Sequence, residues 1–309
     1  MKQILKYLKI HLKEDFQASY YLAIATFLAI TMSLNYYFDF EDSVLDSYYG
    51  KSIRLFYYFL FYCFAYYSAT IIMAYFKNEW HIFKNKEYWI KSLLILTILA
   101  VDTAFHYHNR LIKEFMDVAL QYWASRVSKN LVNIFTTIIP LVLFYKYYDT
   151  QQKSFYGLTV KGFNHKPYLF ILAVMIPLIA VASFTDNFAN HYPLYKNNSA
   201  YYALQSPKWV PAIIYELAYG WNFLTIELMF RGFMILALCS ICGRNVVLPM
   251  VVTYCFYHFG KPEGEAISSI IGGYILGVIA LESRSIFGGV LIHIGVAWLM
   301  EFFAWLQKL

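Results

Sequence analysis

Charge is what this sequence has least of. Only 14% of its 309 residues are Asp, Glu, Lys or Arg, where an ordinary soluble domain carries roughly 25%. Too few polar residues remain to coat a water-soluble globule of this size, which excludes a soluble enzyme and a disordered chain alike. Cysteine is scarce too. Cys63, Cys239, Cys242 and Cys255 all sit in apolar sequence and read as small buried hydrophobes, which excludes a disulfide-built extracellular scaffold. No repeat of fixed period and no low-complexity tract is present. In their place the chain has 60% hydrophobic and 21% aromatic residues.

A helix needs about 20 apolar residues to cross the hydrocarbon core of a bilayer. Such runs fall near 18–38, 53–76, 89–107, 131–148, 168–186, 210–242, 245–259, 265–281 and 285–306. This predicts an all-α, polytopic transmembrane bundle of eight or nine spans. The 25 Lys and Arg, behind a net charge of +6, cluster between the runs. The positive-inside rule accounts for them without a nucleic-acid partner. Lysines in the 77–91 and 146–166 connections, against the acidic 39–52 loop, predict a cytoplasmic N-terminus and an integral multi-pass protein of the cell (plasma) membrane. Residues 1–16 alternate Lys2, Lys6, Lys9 and Lys13 with apolar residues, a basic amphipathic segment suited to the surface of the bilayer.

The texture divides the chain in two. Residues 1–150 form an aromatic-rich region, with runs such as Phe56-Tyr57-Tyr58-Phe59, while 151–309 are richer in glycine and in polar residues at membrane depth. An ionisable residue inside a span costs roughly 2.5–3.5 kcal/mol on insertion scales and calls for a reason. Glu227 and Arg231 lie four apart, on one helix face, where they can pair. His258 closes an apolar run ahead of a Gly260/Pro262 break, and His293 lies inside the last span. Glu, His and His at similar depth can deprotonate a water or hold a metal with an open position. Elsewhere, Asp102 and His106 are spaced to pair, Cys239 and Cys242 have metal-site spacing without a second half, and Asn197-Asn198-Ser199 has the form of a glycosylation acceptor.

The order Glu227-x-x-Phe230-Arg231-Gly232-Phe233, then His258, then Ser285-Ile286 and His293, resembles the CAAX protease and bacteriocin-processing (CPBP, or Abi) family of intramembrane endopeptidases. Tyr156-Gly157-Leu158-Thr159 looks like that family's lead-in, and the similarity covers about 155–305. The family pattern is Glu-Glu-x-x-x-Arg, Phe-x-x-x-His and His-x-x-x-Asn. Here Ile226 replaces the first Glu, Tyr254 the Phe and Ala297 the Asn. The resemblance implies a membrane endopeptidase in which Glu227, Arg231, His258 and His293 form the catalytic set. In the family the first Glu and the middle His activate water, while the last His stabilises the oxyanion.

Three carboxylates could replace the missing base. Glu216 lies roughly 16 Å from Glu227 along a continuous helix, Glu265 follows the Gly260/Pro262 turn, and Glu301 is off the His293 face. The simplest assignment gives the role to Glu227 itself. No cofactor is required if the chemistry is glutamic, whereas a divalent metal such as zinc is required if it is metal-dependent. The implied partners are a membrane-associated peptide or protein substrate and the lipid bilayer. The alternative is a proteolytically inactive member acting in peptide binding, immunity or scaffolding. A transporter is the third reading, but the paired broken helices expected of one are missing.

Overall fold

The structure, a computed structural model, describes residues 2–161, 163–196 and 199–308. Asn197 and Asn198 of the glycosylation-like triplet lie outside them. Among the described residues the chain is predominantly helical and contains no strand, because a helix satisfies every backbone polar group within its own segment where no water can do so.

Helix α1 (Lys2–Asp15) is the basic amphipathic segment. It buries Ile4, His11 and Asp15 and leaves its lysines exposed. Arg244 ties it down through ion pairs to Glu14 and Glu282. Helices α2 (Ala18–Phe38) and α3 (Ile53–Lys77) each end on a left-handed residue, Asp39 and Asn78. Helix α4 (Lys86–Ala104) begins with Asn85 accepting the Glu87 N–H at 2.8 Å, a standard N-cap. The 107–130 connection, with its charges, reads as a loop but forms α5 (Tyr107–Phe115) and α6 (Val118–Leu131), followed by α7 (Ile139–Tyr147). Helix α8 (Lys166–Ala182) leads through α9 (Asp186–His191) and α10 (Ala200–Ala203) to α11 (Trp209–Glu227). Short helix α12 (Cys239–Cys242), then α13 (Val247–Phe256), α14 (Glu263–Ser283) and α15 (Phe287–Leu306) complete the chain.

Among the described residues, seven stretches are long and apolar enough to cross a membrane. One of them, Trp209–Phe256, is 48 residues long and turns back at Gly243 (φ 58°), so that Phe230 lies against Tyr254 and Tyr257. It therefore accounts for two of the runs read in the sequence. The run near 168–186 forms the 17-residue helix α8.

Among the described residues, three segments are π-helical: Glu41–Leu45, Ile134–Ile138 and Leu228–Ala237. Such widened turns are rare and concentrate at functional sites. The last of them carries Arg231. One hydrophobic core runs from Tyr20 to Ala297 across both textures of the sequence. Lys91, 1% exposed, bridges them: it pairs with Glu87 and Asp149 and donates to the Ala237 carbonyl at 3.1 Å.

Asp102 and His106 do not pair. Helix α4 ends at Ala104 and Phe105 is extended, so the helical spacing is lost before His106. Asp102 instead accepts from Thr136 and Thr137, and His106 Nδ1 bonds the Ala104 carbonyl oxygen. Cys239 and Cys242 remain free.

Candidate active site

Glu227 is the last residue of α11, and Arg231 stands one turn on within the π-helical segment. Both side chains are fully buried, with Arg231 Nη1 at 3.0 Å from Glu227 Oε1. The same oxygen meets His293 Nδ1 at 3.1 Å. Glu227 thus joins α11 to α15 inside the bundle. Gly289, one turn before His293, makes room for it: a Cβ there would overlap the Glu227 carboxylate.

Tyr254 fills the centre of the cluster. The Arg231 guanidinium lies over its ring at 4.2 Å from the centroid, a cation–π contact. Its hydroxyl is 3.3 Å from His293 Nε2. The His258 ring sits edge-on to it, with centroids 4.5 Å apart. Phe223 closes the other side of His293 at 4.3 Å. The structure therefore brings Arg231 and His293 together on Glu227 and sets His258 on the other side of Tyr254.

Hydrogen bonds orient both histidines. His258 Nδ1 is 2.8 Å from the Tyr254 carbonyl oxygen. A carbonyl only accepts, so Nδ1 carries the hydrogen and the neutral ring keeps its lone pair on Nε2. The carboxylate of Glu227 imposes the same tautomer on neutral His293. Ile226 and Ala297 are 5% and 4% exposed, so apolar packing occupies both positions where the family pattern places a polar residue.

Two of the three carboxylates that could replace the base are engaged elsewhere. Glu265 accepts from the Tyr192 hydroxyl at 3.0 Å and pairs with Lys261. Glu301 accepts the Leu194 N–H at 2.8 Å. Glu216 has one buried oxygen without a partner.

A metal does not fit the side chains as they stand. Among the described residues, one group of three His, Cys, Asp or Glu side chains brings its ligand atoms within 4.8 Å of one another, and it is Glu41, Asp42 and Asp46. Glu227 Oε1 already faces a guanidinium and an imidazole nitrogen, and a cation bound there would be repelled by Arg231.

The lead-in and the Arg-Gly pair have structural reasons. Gly232 packs against the Tyr156 carbonyl oxygen, where a Cβ would come within 2.7 Å. Gly157, at φ 77°, accepts the Ile286 N–H at 3.0 Å, and Ser285 donates to the Thr159 carbonyl at 2.8 Å. The lead-in thus fixes the start of α15, two turns before His293. The Tyr254 hydroxyl and Gly289 escaped the sequence reading. Gly289 had a signal, since it stands four residues before His293 on the same helix face.

Fold and site together define a polytopic α-helical membrane protein with a buried Glu–Arg–His cluster beside a second histidine. Residues 208–299 match the family described as type II CAAX prenyl endopeptidase Rce1-like, in line with the resemblance that the motifs carry. The match takes in Glu227, Arg231, His258 and His293. None of the curated proteins and none of the solved structures compared with the chain is similar to it.

Proposed function

We propose that the chain is an intramembrane endopeptidase that cleaves membrane-associated peptides or proteins, with His258 as the proton acceptor. Glu227 is 0% exposed and committed to Arg231 and His293, so its part is to hold His293. The observation that carries the reading is the placement of two tautomer-fixed histidines on either side of Tyr254.

His258 Nε2 takes a proton from water as the oxygen attacks the scissile carbonyl. The Tyr254 hydroxyl donates to the oxyanion that forms, and His293, its Nδ1 hydrogen held by Glu227, keeps that hydroxyl in place from Nε2. Preorganised donors of this kind are effective where water is excluded. The C–N bond then breaks, and His258 returns the proton to the departing amine. Tyr254 thereby provides a donor where Ala297 has none. The lysine-rich α1 end faces the cytoplasm of the cell membrane, in keeping with its charge.

Purified protein in nanodiscs, offered a peptide library, should generate new N-termini by mass spectrometry. His258→Ala and His293→Ala should abolish them. Tyr254→Phe should lower kcat on the order of 100-fold, as loss of one oxyanion donor does, and chelators should change nothing. Cleavage that persists in both histidine variants would defeat the assignment.

A second reading is a non-catalytic peptide-binding, immunity or scaffolding protein, favoured by buried Ile226 and Ala297 and by the enclosed Glu227. Saturable peptide crosslinking without cleavage by the wild type would decide for it.

A further inference from the structure

The turn that carries His258 is held from outside the family-matched stretch. Helix α13 ends at Phe256, and Tyr257–Lys261 form a non-helical turn before α14. The last carbonyls of a helix have no partner within it. Here partners arrive from the C-terminal end of α2, more than two hundred residues earlier. Asn35 Nδ2 donates to the Phe259 carbonyl at 3.1 Å. The Tyr36 hydroxyl donates to the Lys261 carbonyl at 2.9 Å and, more weakly, to that of His258 at 3.4 Å.

These donors are themselves fixed. Asn35 is 4% exposed, and its Oδ1 accepts the Glu41 N–H at 3.1 Å, which leaves its amide hydrogens directed at the turn. The Glu41 carboxylate lies on Gly260, where a Cβ would overlap it, and the Tyr58 hydroxyl donates to that carboxylate. Phe61 packs on both Phe256 and Phe259. An asparagine buried in an apolar span is costly unless bonded, and the partners of Asn35 are the His258 turn and Glu41, which touches the same turn.

We propose that Asn35, Tyr36 and Glu41 are positioning residues that set the orientation of the His258 ring, giving the aromatic N-terminal region a direct part in the site. The ring is tied through Nδ1 to the Tyr254 carbonyl, so a displaced turn re-aims Nε2 away from Tyr254 and the substrate. This rests on the reading in which His258 accepts the proton, and the experiment has an arm that does not need turnover.

Tyr36→Phe keeps the ring against Phe259 and removes only the hydroxyl, and Asn35→Ala removes the amide. Both variants, the neighbouring Tyr37→Phe and wild type are assayed as full-length protein in nanodiscs. Readouts are kcat and KM, thermal stability, and the rate and pH midpoint of His258 carbethoxylation by diethyl pyrocarbonate, followed by mass spectrometry of the His258 peptide. In Tyr36→Phe and Asn35→Ala, kcat should fall on the order of 10- to 100-fold at similar KM, as displaced catalytic groups do. The His258 modification rate and midpoint should move while those of exposed His81 stay, and Tyr37→Phe should match wild type.

An unchanged His258 modification profile in folded Tyr36→Phe would overturn the proposal, whatever happens to stability. Should Asn35→Ala fail to fold, Tyr36→Phe carries the test. A wild type without proteolysis, in which the variants still shift His258 reactivity, would remove the protease reading and leave the positioning role standing.

Discussion

Glu227 and Arg231 show how much depends on single side chains in this bundle. A carboxylate and a guanidinium, both 0% exposed, persist in an apolar interior because each neutralises the other, with His293 on the carboxylate and the Tyr254 ring under the guanidinium. Removing one charge is therefore far worse than removing both. Glu227→Gln should destabilise the protein by about 3–5 kcal/mol, the usual penalty for a buried charge left alone. Glu227→Gln combined with Arg231→Met should recover most of that loss. SDS-titration unfolding of the three proteins checks this, and additive losses would contradict it. The pair itself was legible in the spacing of four. Its third member was not, because no local pattern connects residue 227 to residue 293, and the Phe-to-Tyr exchange at 254 reveals its donor only when the hydroxyl is seen beside His293.

Among the elements, long apolar helices were the readable ones. Composition alone places α2, α3, α14 and α15 within a few residues, since their length and hydropathy are what a bilayer demands. Helices α5 and α6 were missed because charged, amphipathic segments look like loops until their apolar faces find a partner, as Trp123 does when it donates to the Pro211 carbonyl on α11. The π-helical segments leave no trace in composition at all. One of these, Glu41–Leu45, makes a pH prediction.

Burial, reinforced by Asp46 and Asp42 and opposed by the Tyr58 hydrogen bond, pushes the Glu41 carboxyl up to about 7 from an ordinary 4.5. Between those values the folded protein holds a proton that the unfolded chain has released. The contribution of Glu41 to stability is therefore full below about pH 4.5 and is lost as pH rises through about 7. Thermal unfolding in detergent should show wild type losing ground to Glu41→Gln between about pH 5 and pH 8. A constant difference would show that Glu41 titrates normally.

At the scale of the whole molecule, the two textures of the sequence share one core. Lys91 reaches the Ala237 carbonyl, Asn133 donates to Asn222 at 2.7 Å, and α2 holds the His258 turn. Residues 151–309 expressed alone should consequently aggregate or unfold without cooperativity in detergent, and co-expressed 1–150 should restore a monodisperse complex on gel filtration. A stable, cooperative 151–309 fragment would contradict that dependence.

Scarce charge and long apolar runs were enough to establish a helical membrane protein, because the bilayer acts on each segment separately and its demands are written in local composition. The polar residues Glu227, Arg231, His258 and His293 likewise stood out at membrane depth, and they do gather in one cluster. Which group faces which was another matter. That Glu227 is closed off, that His258 keeps a free Nε2 and that the first helices brace its turn all depend on contacts between residues tens to hundreds of positions apart. Those contacts follow from how the helices pack, and no single segment contains them.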